Sequence, residues 1–174
     1  MTIPNKFSDM QNSEFHQFFV EELRDIYGAE LSLVKALPKM QEASTSEELA
    51  AAFYKHASDT QLHIENLERI FDLLDEESDS KKCKAMEGLI QEAEEIISDT
   101  EKNSYTRDAA LILAAQKVEH YEIATYGTLK TFARNMGHTE VAELLERTLV
   151  NEKTTDETLT EIAEDFVNSQ AATE

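Results

Sequence analysis

The chain has 174 residues, enough for one domain with a sizeable core. Its formal net charge is −20, with 36 acidic residues against 16 Lys and Arg; that excludes nucleic acid and anionic lipid as partners, because both need basic patches that neutralise phosphate. Four Gly and two Pro interrupt a chain rich in helix formers, and the lone Cys83 excludes disulfide staples and Cys-x-x-Cys sites.

The first residues, "MTIPNKFSDMQN", read as a polar, flexible tail over 1–12. They lack a basic stretch followed by an apolar one, so no secretory signal is expected. No window approaches the ~18 apolar residues of a membrane span, and a cytoplasmic location is the expectation.

A first helix is predicted from about Ser13 to Glu42, with Pro38 kinking or fraying its last turn. Thr45-x-x-Glu48 is a capping-box signature for a second helix, running to about Leu74. "DEESDSKK" is a charged loop, and "CKAMEGLIQEAEEIISDT" is a shorter helix with one apolar stripe. A third long helix spans about Thr106 to Asn135. Gly137 then suits a left-handed C-terminal position and Thr139 an N-cap, and a fourth long helix reaches about Asn168. Residues 169–174 are expected to fray. Two helical hairpins joined by a long connection carrying one short helix make an all-α domain over 13–168. This is the plan of a four-helix bundle with a long crossover, the ferritin-like arrangement.

The core-facing stripes are interrupted in every long helix. Phe19, Leu23, Ile26, Glu30, Leu33 and Leu37 share a face, as do Leu49, Phe53, His56, Thr60, His63, Leu67 and Ile70, with Asp59 beside Thr60. In "AAQKVEHYEIATYG", Glu122 lies on the stripe and Glu119 one turn before it. The last stripe reads Val141, Leu145, Thr148, Glu152, Thr155, Leu159, Ile162 and Phe166. Glu30, Asp59, Glu119, Glu122 and Glu152 all fall near helix midpoints, which antiparallel packing brings to one level.

Unpaired buried carboxylates cost several kcal/mol each, so this layer needs protons or cations. Lys117 and Lys153 lie on other faces. Two divalent ions would nearly balance the charge; carboxylate and imidazole donors suit iron or manganese, and zinc less specifically. The expected ligands are Glu30, His56, Asp59, Glu119, Glu122 and Glu152, with His63 and Asp156 as further candidates. Each acid taken singly also fits a boundary residue reaching solvent, and each histidine a hydrogen-bonded core residue. Their coincidence on four helices favours metal. Tyr27, Tyr121 and Tyr126 fit packing roles, His120 and His138 surface or supporting ones, and Cys83 core packing.

"EELRDIYGAELSLVKALPKM", "KCKAMEGLIQEAEEII", "RDAALILAAQKVEHYEIATYGTL" and "GHTEVAELLERTLVNEKTTDETL" resemble the YciE/YciF family of bacterial ferritin-like proteins, and its YciF members more closely. The resemblance runs from about Phe15 to Ala163. It implies a rubrerythrin-related bundle, a homodimer and a link to bacterial stress responses. Ferritin-like di-iron proteins place Glu, Glu-x-x-His, Glu and Glu-x-x-His on successive long helices, and rubrerythrins add a second Glu to the third. Glu30, Glu119, Glu122 and Glu152 match those slots. His56-x-x-Asp59 reverses the order, position 59 being usually Glu in the family, and Glu152-x-x-x-Asp156 lacks the histidine. A rubredoxin module is absent.

The functional expectation is a di-metal stress protein that reacts with oxygen or peroxide, a rubrerythrin-like peroxidase or ferroxidase, in which Tyr27 or Tyr126 orients the oxidant. The alternative is a non-catalytic structural or interaction protein whose metal is structural or absent. Iron storage in a cage is a third reading, which solution mass would separate.

Overall fold

A computed structural model describes residues 13–174. The expected tail over 1–12 lies outside the described residues. Among the described residues five substantial helices form in order: α1 (Glu14–Ala43), α2 (Glu47–Leu74), α3 (Lys84–Asp99), α4 (Tyr105–Asn135) and α5 (Thr139–Ile162). A π-helical turn (Ala163–Val167) and a short α6 (Asn168–Ala171) continue α5. No strand occurs among the described residues.

α1 packs on α2 and α4 on α5, as hairpins with short turns should. α2 then meets α5, and α1 meets α4, closing a four-helix ring, while α3 lies outside against α1 and α4. The core is the inner lining of that ring, built from the predicted stripes: Phe19, Leu23, Ile26, Phe53, Leu67, Leu111, Leu129 and Leu145 are almost fully buried.

The helix ends are set by short polar side chains. Ser13, Ser46 and Ser104 each accept a backbone N–H of their helix's first turn. The α2 cap is thus Ser46, one residue after the Thr45 of the expected box. Thr45 is recruited elsewhere: its N–H and that of Ser46 both donate to the fully buried Asp108 at 2.7 Å. Cys83 caps α3, its thiol accepting from Met86 N–H at 3.4 Å. α5 starts at Thr139 without a side-chain cap; the left-handed Gly137, at φ +79°, makes the preceding turn. α1 continues past Pro38 to Ala43.

Two features pin the crossover. Lys81 N–H bonds the Arg24 carbonyl of α1 at 3.0 Å. Beside it, Gly28 leaves room for the Lys81 carbonyl, which would lie 1.8 Å from any Cβ placed there. At the far end, buried Arg107 donates to Thr100 Oγ1 and Ile97 O, both at 2.9 Å, and to the Thr100 carbonyl, tying α4 to the end of α3.

Where fraying was expected, the chain stays helical to Ala171. Glu174 accepts from the N–H groups of Tyr105 and Thr106 at 2.7 and 2.9 Å, satisfying two open donors of α4. The π-turn also shifts the α5 stripe by one residue. Ala163 and Val167 are buried, whereas Phe166, expected inside, lies outside with its ring edge-on to Tyr105 at 5.3 Å.

Candidate metal centre

Each of the four ring helices sends polar side chains into one buried layer: Glu30 from α1, His56, Thr60 and His63 from α2, Glu119 and Glu122 from α4, and Glu152 from α5. On α2 the spacing of 56, 60 and 63 is one helical face, so all three point inward together.

These side chains form two donor groups. In one, ligand atoms of His56, Glu119, Glu122 and Glu152 lie within 4.8 Å of one another; in the other, those of Glu30, His63 and Glu152 do. Glu152 belongs to both. His56 Nδ1 is 3.2 Å from Glu119 Oε1, and His56 Nε2 is 3.8 Å from Glu152 Oε2. His63 Nδ1 is 2.9 Å from Glu152 Oε1 and 3.4 Å from Glu30 Oε1. Glu30 Oε1 also accepts from the buried Tyr126 hydroxyl.

The layer is short of hydrogen bonds. Among the described residues, seven of the eight oxygens of these four carboxylates have none, nor do His56 Nε2, His63 Nδ1 and Thr60 Oγ1. Buried polar groups are nearly always paired, so this concentration of orphans marks a donor set that could hold a cation.

Protonation follows from the same crowding. Burial, then the neighbouring Glu152 charge, raises Glu119 and Glu122 well above the ordinary carboxylate range. Burial raises Glu30 as well, against the pull of His63. Burial opposes a charge on His63, but Glu152 and Glu30 outweigh it and raise the group to about 10. His56 is lowered, chiefly by burial, and is held neutral.

Two expected ligands stand outside the layer. Asp59 bonds Lys55 and accepts from Asn151 Nδ2 at 3.2 Å; these bonds hold its carboxyl low despite partial burial. The inward position three residues before His63 is Thr60, so α2 carries Thr-x-x-His where the ferritin-like pattern has Glu-x-x-His. Asp156 faces outward too, with Gln116 Nε2 at 3.3 Å and His120 Nε2 at 3.3 Å. Tyr27 gives its hydroxyl to Glu68 at 3.0 Å, away from the layer. Tyr121 donates to Asp25 at 3.1 Å, with Cys83 Sγ at the same distance. His138 lies near His16, their rings 5.7 Å apart. Thr60 and Asn151 were missed; the stripe contained Thr60, but a hydroxyl among acids gave no chemical signal.

Four helices turning carboxylates and imidazoles into one shared core layer define a ferritin-like helical bundle. Residues 14–172 match the family described as a domain of unknown function, DUF892. Protein YciF of Escherichia coli K12 is 47% identical over 166 residues, covering 93% of this chain and 98% of that one. The crystal structure of the Escherichia coli stress protein YciF superposes with a TM-score of 0.85 at 46% identity, over 90% of this chain and 98% of that chain. YcfI from Rhodopseudomonas palustris gives 0.82 at 35% identity, over 91% and 98%. The chain belongs to the DUF892 family, the family of YciF. Among the described residues no helix is long and apolar enough to cross a membrane.

Proposed function

We propose that this chain is a di-metal protein of the bacterial stress response, binding iron or manganese in the bundle core and reacting there with oxygen or peroxide. The observation that carries the reading is the donor layer: four buried carboxylates and two imidazoles, split into two groups that share Glu152, with seven carboxylate oxygens unbonded. With Asp59 outside, the carboxylate charge of the layer is matched by two divalent ions, a closer balance than the sequence implied. Bound iron or manganese would supply the electrons and the Lewis acidity that the side chains lack. The protein's own residues hold the donors, keep water out and orient Glu30 through the Tyr126 hydroxyl.

The test is elemental mass spectrometry on protein purified without chelator or affinity tag, beside Glu122→Ala. Close to two iron or manganese ions per chain, lost in the variant, would justify peroxide assays. A metal-free protein whose stability the variant leaves unchanged would sink the reading.

One observation favours a non-catalytic structural or interaction protein. Protons can also quiet the layer, with Glu119 and Glu122 neutral and His63 as a cation between Glu30 and Glu152, and Thr60 removes a carboxylate from α2. Absent metal with full stability would select it. A cytoplasmic homodimer completes the proposal. The buried lone thiol fits a reducing compartment, and exposed Phe15 and Phe18, with Phe15 edge-on to Phe132 at 4.8 Å, offer a second copy an aromatic surface. Solution mass decides between a dimer and a storage cage.

A further inference from the structure

A polar chain runs from solvent to the donor layer: Lys55, Asp59, Asn151, His63. Its donor and acceptor directions are dictated from the outside inward. The Asp59 carboxylate, held by Lys55, only accepts. Asn151 must therefore turn its amide nitrogen to Asp59 Oδ2, at 3.2 Å, which leaves Oδ1 facing His63 Nε2 at 2.9 Å. An amide oxygen also only accepts, so Nε2 must carry the hydrogen. A neutral imidazole has one N–H, and the lone pair is left on Nδ1. That is the nitrogen 2.9 Å from Glu152 Oε1 and 3.4 Å from Glu30 Oε1. The opposite tautomer would set two acceptors against each other at Asn151.

We infer that Asp59 and Asn151 are positioning residues: together they lock His63 as the Nε2–H tautomer and so present Nδ1 to a divalent ion shared with Glu30 and Glu152. The inference rests on the di-metal reading and gives Asp59 a different task from the ligand role expected of it. Asp59 acts two hydrogen bonds away from the metal. A surface ion pair with Lys55 would contribute little by itself, whereas groups that orient a metal-bound histidine commonly change affinity by ~10- to 100-fold.

The experiment uses zinc ion as a diamagnetic probe on the full chain. Zinc affinity is measured for the wild type, for Asp59→Asn, and for Asp59→Asn combined with Asn151→Asp. The His63 imidazole is followed by long-range proton–nitrogen NMR in the zinc-loaded protein, with melting of the metal-free forms as a control for folding. In Asp59→Asn the partner of Asn151 can donate as well as accept, so the amide is free to flip. Affinity should fall ~10- to 100-fold, and the Nε2–H signal should weaken or exchange. In the double variant the carboxylate sits next to His63 and the amide beyond it, so the acceptor direction returns; affinity and the Nε2–H signal should recover. Single-variant binding equal to wild type with Nε2–H intact, or His63 bound through Nε2, would overturn the inference and leave the metal site standing. A wild type that takes up no zinc would instead remove the di-metal reading, and this inference with it.

Discussion

Glu152 is the residue on which the layer turns, because its carboxylate belongs to both donor groups. Glu30 belongs to one. Glu152→Gln should therefore abolish binding at both positions, and Glu30→Gln should spare the group of His56, Glu119 and Glu122. Manganese titration followed by EPR counts the sites: a Glu152→Gln protein that still binds as wild type would show that the carboxylate is not shared. At this scale the sequence was informative about position and misleading about chemistry. The inward set His56, Thr60 and His63 was legible from spacing alone. Asp59 lies one residue, about 100° of helix, away from Thr60. It entered the ligand set as a carboxylate near the midpoint of its helix, at a position usually Glu in the family, although it only flanked the apolar stripe. Where geometry and residue type disagree, the geometry held. Glu30, Glu119, Glu122 and Glu152 satisfied both tests, and all four are fully buried.

The helices themselves form readily, and the connections between them carry the specificity. Asp108 holds the α1–α2 turn to the start of α4 with two backbone hydrogen bonds from inside the core. Its removal leaves the buried Ser46 N–H and the part-buried Thr45 N–H without a partner, so Asp108→Ala should cost about 2–3 kcal/mol. Urea denaturation measures this, and a loss near zero would mean water replaces the carboxylate at once. Gly28→Ala tests the crossover: a methyl group cannot coexist with the Lys81 carbonyl. The loop must lift, at a cost of about 1–3 kcal/mol, and amide exchange should quicken at Lys81 while α1 stays protected. Neither contact was legible in the sequence. Each joins residues far apart along the chain, through backbone atoms that every residue carries. The hairpins were legible because composition and local turns make them. The end of α5 was not, because the π-turn adds one residue to the face and replaces Phe166 with Val167.

For the whole molecule, the layer couples folding, protons and metal. In the metal-free fold, burial raises Glu119 and Glu122, and Glu152 and Glu30 hold His63 up at about 10 despite its burial. The folded chain thus keeps protons that the unfolded chain releases near pH ~4.3 for Glu and ~6.5 for His. The stability these groups contribute is complete below those unfolded values and is lost as pH rises through the folded ones. His56, lowered by burial, has the opposite sign, and its contribution is complete once pH exceeds ~6.5. Above that pH only the raised groups change, so chelated protein should melt at progressively lower temperature from about pH 6.5 to about pH 9. Metal reverses the trend, because its ligands must be deprotonated and binding strengthens as protons leave. The gap in melting temperature between manganese-loaded and chelated protein should widen over the same range. Combining Glu119→Gln with Glu122→Gln should weaken the pH dependence of the chelated form, since only the His63 and Glu30 shares remain, and should also remove the metal effect. A gap that stays constant with pH would mean that protons and metal do not compete for these side chains. The buried layer would then be a fixed structural feature of the bundle rather than the place where it works.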